Sequence, residues 1–261
     1  MDSELQVAAA AAEWLPSAAA LAQWLGLSCL SEPVARPARL ASPAVVLWVS
    51  DEGVQLQATG KKAPGPVRVD WVTGRSGHRR RQGGAELLVK AVGVARASRP
   101  LQLADATAGL GEDALVLAGY ECELTLFERS PVMAELLADG MARAQQEPAL
   151  LERLGRMQLE RGDATRWFHH HPDALDVVYL DPMFPEKRNS AAVRKEMQLA
   201  RSVVGDDEDA AVLLEAALVA ARHRVVVKRP RRAVPLPGPA PATAVEGRSS
   251  RFDVYSLKAL P

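Results

Sequence analysis

The sharpest chemical signal in the chain is Asp181-Pro182-Met183-Phe184-Pro185, which follows the apolar run Val177-Val178-Tyr179-Leu180. A carboxylate at the end of a buried strand, followed by proline and an aromatic ring, suits a planar amine. The lone pair of an exocyclic nucleobase amine is delocalised into its ring, so that nitrogen is a poor nucleophile. Acceptors on its N–H bonds, here the Asp181 carboxylate and the Pro182 carbonyl, localise the pair, and the fixed dihedral of proline holds the carbonyl in place. Phe184 is expected to stack on an extruded base. The plainer alternative is a strand-ending turn with a buried Phe.

A second constellation is Asp105-Ala-Thr-Ala-Gly109-Leu-Gly111-Glu112-Asp113. Glycines at a strand-to-helix turn let the backbone approach a ligand closely. Glu128 ends the next expected strand, where a carboxylate can accept from both hydroxyls of a ribose. Gly109-x-Gly111-x-x-Ala114 satisfies the loosest dinucleotide fingerprint, and an ordinary glycine turn stays open as well. Asp105, Glu112 and Asp113 argue against a dinucleotide, because carboxylates at the helix start repel a pyrophosphate. S-adenosylmethionine, with a sulfonium, an ammonium, a ribose and no phosphate, fits better. Asp105 is expected to support its methionine end.

Cations gather in three places: Arg75 to Arg81, Lys187-Arg188, and the set Arg222, Arg224, Lys228, Arg229, Arg231 and Arg232. Any one of these is ordinarily a solvated face. Together, at the ends of expected strands, they suggest a phosphate-binding surface, with Arg79, Arg80, Lys187, Lys228 and Arg229 as RNA contacts. His169-His170-His171 is read as a surface loop, since three consecutive histidines cannot all face one ion, and no metal is expected. Asp206 to Asp209 reads as a charge run complementing a helix start. Cys29 and Cys122 are isolated, which suggests neither a zinc site nor a disulfide framework but two reduced small hydrophobes.

The elements that must position these groups are legible in outline. The chain has 261 residues, 48% of them apolar and 25% charged, an ordinary composition for a globular protein. Lys plus Arg and Asp plus Glu are each 32, so any nucleic-acid site must be a local patch. No apolar run approaches the ~18–20 residues of a membrane span, and MDSELQVAAA lacks the basic start of a signal peptide. A cytoplasmic protein without membrane contact is expected.

Residues 1–30 carry Trp14, Leu15, Leu21, Trp24 and Leu25 at helix-like spacing, the tryptophans reading as packing anchors. Residues 44–58 alternate with period two around Asp51-Glu52-Gly53, a hairpin, and Val67–Val72 reads as a short strand. From residue 84 strands alternate with helices: AELLVKAVGVA (helix), LQLAD (strand), EDALVLAGYE (helix), ELTLFER (strand), a helix opened by Ser130-Pro131, MQLERGD and DALDVVYLD (strands), a helix over 207–221, RHRVVVKRP and FDVYSLKAL (strands). That order indicates an α/β fold with a parallel sheet covered on both faces, binding ligands beyond the carboxyl ends of its strands. The expected division is a small N-terminal α/β domain, residues 1–74, and a Rossmann-like domain, residues 75–261.

VDWVTGRSGHRRRQGG, DATAGLGEDALVLA, FERSPV, YLDPMFPEKRNSAAVRKEMQ, RVVVKRPRRA and RFDVYS together resemble the ribosomal RNA small subunit methyltransferase J family. The resemblance runs from about Val69 to Tyr255. It implies a class I S-adenosylmethionine-dependent enzyme methylating N2 of a guanine in 16S rRNA, with rRNA or the 30S particle as partner. It places cofactor contacts on Glu112, Asp113, Glu128, Arg129, Asp163, Ala164 and Asp181. The family pattern has Arg where this chain has Glu112, and a Ser pair where it has Asp163-Ala164. The residues alone leave open another planar amine, adenine N6 or a glutamine amide. They also leave open a nicotinamide-dependent oxidoreductase and a non-catalytic RNA-binding protein on the same topology.

Overall fold

The structure, a computed structural model, describes residues 5–61, 63–72, 84–183, 199–200, 203 and 209–261. In chain order its elements are β1 (Leu5–Ala9), α1 (Leu15–Leu25), β2 (Val45–Ser50), β3 (Gly53–Ala58), α2 (Gly84–Val92), β4 (Leu101–Asp105), α3 (Glu112–Leu117), β5 (Cys122–Glu128), α4 (Pro131–Ala144), α5 (Leu151–Leu154), β6 (Met157–Arg161), α6 (Ala164–His170), β7 (Leu175–Leu180), α7 (Ala210–Ala220), β8 (Ala221–Pro230), β9 (Thr243–Glu246) and β10 (Ser250–Ser256). They fall into two compact units.

One unit holds the N-terminal elements through Val69 together with residues 131–143 of α4. Its sheet has the order β1-β2-β3. The expected hairpin is present, with Leu47 opposite Leu56. The helix-like reading of residues 1–30 is corrected at its start: Leu5–Ala9 is a strand running parallel to β2, and Val7, Ala8 and Ala9 are buried. Pairing with β2 overrides the local preference of the alanines. Trp24 is no packing anchor; it is 68% exposed, and its indole N–H donates to Glu135 Oε1 at 3.1 Å. The expected strand Val67–Val72 reduces to a single bridge between Val67 and Leu56. Pro66, just before it, has no N–H to extend a ladder.

The other unit is built on a sheet of order β6-β5-β4-β7-β8-β10-β9. Strands β4 to β8 are parallel, and β10 and β9 are antiparallel additions. The four-residue strand β9 was not expected; its alternation is too short to read without its partner β10. All six residues of β7 are buried, as a parallel strand covered on both faces requires. The polar exception, Asp176, is 0% exposed, and Arg99 answers it with two hydrogen bonds of 2.7 and 2.8 Å. Gln102 N adds a third at 2.9 Å, so this carboxylate ties the amino ends of β4 and β7 together.

Around the core, Ala216, Ala217 and Ala220 of α7 pack with Leu175, Val178, Val225 and Val227. Phe127, Trp167 and Phe168 form an aromatic cluster with centroid distances of 5.4 to 5.9 Å. His169 and His170 are not in a loop but close α6, and the His171 ring stacks on Trp167 at 4.0 Å. Both cysteines are free, and the Cys122 thiol is buried. No helix among the described residues is long and apolar enough to cross a membrane.

The chain leaves β4 toward β5 on one side and later returns to place β7 on the other. In such sheets a crevice opens at this reversal, beyond the carboxyl ends of the two strands.

Candidate active site

Asp105 closes β4 and is 2% exposed. The turn after it is laced to both neighbouring strands: Ala106 N donates to Tyr179 O at 2.9 Å and Ala108 N to Phe127 O at 3.0 Å. Gly109 and Gly111 have φ of +53° and +69°, a region that penalises a Cβ. Gly111 caps α3, so Glu112 and Asp113 fall in the first helical turn.

Glu128, at the end of β5, is 7% exposed. Its Oε2 accepts from Gly109 N at 2.8 Å and its Oε1 from Ser130 N at 2.7 Å. Asp163 follows β6 and caps α6 by accepting from Thr165 N at 2.8 Å, with Ala164 buried beside it. Arg129 Nη1 reaches both oxygens of Asp209 at 2.8 and 2.7 Å. The expected helix-start run is thus described at Asp209 alone, and that residue pairs with an arginine instead of capping α7 with its side chain.

Asp181 follows β7, and its backbone N–H donates to Thr107 Oγ1 at 2.7 Å. The acid motif is therefore joined to the glycine turn directly. Register sets a further link. Leu180 pairs with Val227, so the next residues, Asp181 and Lys228, emerge side by side. Lys228 Nζ lies 2.7 Å from Asp181 Oδ2 and 2.6 Å from Asp113 Oδ2. The Tyr179 hydroxyl donates to the same Asp113 oxygen at 2.6 Å.

Burial pushes the Asp105 carboxyl up to about 8; Asp113 and Asp181 add to this, while the Thr107 N–H and Lys228 oppose it. Burial first, and then the three carboxylates, hold the Tyr179 phenol well above its ordinary range, so it stays a donor. Burial disfavours the Lys228 charge, but Asp181 and Asp113 outweigh that and raise its pKa. The result is a mouth of three carboxyls, one ammonium and one phenol, which favours a cationic ligand over a phosphate.

Asp105, Gly109, Gly111, Glu112, Asp113, Glu128, Asp181 and Pro182 thus gather at the carboxyl ends of β4, β5 and β7. Arg129, Asp163 and Ala164 continue the same edge outward along β5 and β6. Phe184, Arg79, Arg80 and Lys187 lie outside the described residues.

Two of the expected phosphate contacts, Lys228 and Arg229, are engaged by carboxylates within the fold. The Lys228 ammonium is held between two carboxylates. Arg229 is 4% exposed, its Nε lies 2.6 Å from Asp253, and it also donates to Ala233 O, which leaves it little surface for a phosphate. Nor do the six cations of β8 and its tail form one surface. Arg222 lies 3.7 Å from Asp176 and Arg224 donates to Ala91 O, at the strand's amino half. Lys228 lies six positions beyond Arg222, about 20 Å of strand.

Sequence reasoning missed Thr107 and Tyr179. Tyr179 hid in an apolar run; its hydroxyl, two positions before Asp181 and so on the same side of the strand, was the available signal. No group of three or more His, Cys, Asp and Glu residues among the described residues could hold a metal ion.

Residues 38–257 match the family model described as "Putative SAM-dependent methyltransferase". The chain is 52% identical over 244 residues to ribosomal RNA small subunit methyltransferase J of Marinobacter nauticus, covering 92% of this chain and 87% of that one. It is 46% identical over 259 residues to the protein of the same name from Pseudomonas fluorescens, covering 98% and 96%. The crystal structure of a SAM-dependent methyltransferase from Neisseria gonorrhoeae superposes with a TM-score of 0.71 at 34% identity, covering 97% of this chain and 95% of that one.

Proposed function

Since the chain belongs to this family of SAM-dependent methyltransferases, S-adenosylmethionine is its methyl donor, and we propose that the acceptor is the exocyclic N2 amine of one guanine in 16S rRNA. The names of the relatives, both small-subunit rRNA methyltransferases, support the RNA. The observation that carries the amine is the Asp181 mouth, joined to the glycine turn through Thr107 and Lys228.

The residues present fit the donor. The positive-φ turn at Gly109 and Gly111 brings bare backbone to the crevice, and the surrounding carboxyls disfavour phosphate. Asp105, Gly109, Gly111, Glu112, Asp113, Glu128, Arg129, Asp163, Ala164 and Asp181 would hold it. Bound there, it supplies an electrophilic methyl carried on a sulfonium. The Asp181 carboxylate and Pro182 carbonyl accept the N–H bonds of the acceptor amine and localise its lone pair. Phe184 stacks on the base, and Arg79, Arg80 and Lys187 meet RNA phosphates. Holding both reactants in contact accounts for most of the acceleration, up to about 7–11 kcal/mol. In this reading residues 75–261 form the catalytic domain, residues 1–74 form an N-terminal extension, and the protein works in the cytoplasm on rRNA or the 30S particle.

The test is mass mapping of methylated nucleotides in small-subunit rRNA from cells with and without the gene. One N2-methylguanosine should vanish and return with the wild-type chain but not with Asp181→Ala. A lost methyl on adenine N6, or an unchanged RNA, would overturn the proposal.

A further inference from the structure

Lys228 sits where two halves of the site meet. Asp113 comes from the helix after the glycine turn and Asp181 from the strand end that carries the acceptor motif, and one ammonium touches both at 2.6 and 2.7 Å. The position follows from strand register, since Lys228 is the residue after the Val227–Leu180 pair. Among the described residues the ionisable groups facing this point are Asp105 from β4, Asp113 from α3, Tyr179 and Asp181 from β7, and Lys228 itself from β8.

Three carboxyls in one partly buried mouth repel one another, and carboxylates that share a site drive one of their number to keep its proton. Burial makes Asp105 the one that keeps it, which leaves Asp113 and Asp181 as neighbouring carboxylates; a proton on Asp181 would be damaging, because a protonated carboxyl loses much of its capacity to accept from the N–H of an amine. The ammonium beside it works in the opposite direction. It also fixes one carboxylate oxygen, and so orients the group.

We propose that Lys228 is a positioning residue for methyl transfer, holding Asp181 ionised and aimed at the acceptor amine while pinning Asp113 to the same point. This rests on the reading of Asp181 as the acceptor for the amine N–H bonds. It replaces a phosphate contact with an internal electrostatic role.

The test compares the full-length wild type with Lys228→Met and Lys228→Arg. The pH titration of the Asp181 carboxyl is followed by carbon-13 NMR, and steady-state methyl transfer to small-subunit rRNA is measured across pH and salt. Removing a cation at this distance should raise the Asp181 midpoint by about 1–3 pH units in Lys228→Met. The acid limb of kcat should move up with it, while KM for RNA and its salt dependence stay close to wild type. Lys228→Arg should restore both the midpoint and the limb.

An unmoved Asp181 titration in Lys228→Met overturns the proposal. So does a raised KM with a shallower salt dependence and an unshifted pH profile, the pattern of a lost phosphate contact. Should Lys228→Met fail to fold, Lys228→Arg decides: a wild-type midpoint supports the proposal, and a shifted one despite the retained cation overturns it. The NMR titration needs no methyl transfer. A failure to methylate guanine therefore defeats the functional reading, whereas a silent titration in an enzyme that does methylate guanine defeats only the role of Lys228.

Discussion

Glu128 Oε2 accepts the backbone N–H of Gly109 at 2.8 Å, across the gap between β5 and the glycine turn. The acid that the sequence assigns to a ribose is thus also the clamp that shapes the turn. A carboxylate offers about four acceptor positions, and Gly109 N and Ser130 N each take one on Glu128. On the proposed role of Glu128, order in the turn and affinity for the cofactor are coupled through one side chain.

Glu128→Ala should weaken S-adenosylhomocysteine binding. A hydrogen bond to a charged group contributes about 1.5–3 kcal/mol, so losing one to a ribose hydroxyl should lower affinity at least about tenfold. Glu128→Gln keeps one oxygen as acceptor and should fall between. Calorimetric titration of the three proteins measures this; equal affinities would remove Glu128 from the site.

Asp181→Ala should lose about 100-fold or more in methyl transfer, the scale of losing one preorganised hydrogen-bonding group at the reacting centre. Its side chain is only partly buried, so the thermal transition should persist. Labelled-methyl transfer to small-subunit rRNA, set beside a circular-dichroism melt, separates the two effects.

Asp105 gives the fold a pH dependence whose sign follows from its burial. Its carboxyl is raised from 3.8 to about 8 in the folded protein. Between those values the folded state keeps a proton that the unfolded chain releases. Its contribution to stability is therefore fully present below about pH 4 and is lost as pH rises to about 8. Asp105→Asn, which keeps an acceptor for Thr107 N, should flatten this decline. Urea midpoints at pH 5 and pH 8 test it; parallel declines in both proteins would contradict the assignment.

Arg229 is held by a carboxylate inside the fold, so its loss should show in stability before it shows in RNA binding. Its Nε meets Asp253, which is 1% exposed and also receives Arg251 at 2.6 Å. Breaking a buried pair from one side costs about 3 kcal/mol or more, and Arg229→Met should show a loss of that size in chemical denaturation. The salt dependence of RNA binding should not change. A shallower salt slope with wild-type stability would restore the phosphate role.

Much of this site was legible without coordinates because its residue types are forced locally. A turn with positive φ at two positions calls for glycine, and Gly109 and Gly111 supply it. A strand buried on both faces calls for an unbroken apolar run, and Leu175–Leu180 comes close to one. A carboxylate straight after such a run must emerge at the strand's end. Strand β1, by contrast, was hidden because alanine suits a helix as well as a strand, and only its partner β2 decides between them.

The sequence by itself determined the alternation of strands and helices, the carboxyl-end placement of Asp105, Glu128 and Asp181, and the resemblance that named a methyl donor. These depend on neighbours a few positions away. Only the tertiary structure decided what Lys228 and Arg229 touch. In the sequence they are two adjacent cations in a basic run. The pleat turns them to opposite faces, one onto Asp113 and Asp181 and the other onto Asp253, because β8 pairs with β7 on one side and β10 on the other. A charge is worth what lies within a few ångströms of it, and that is set by strand order and register.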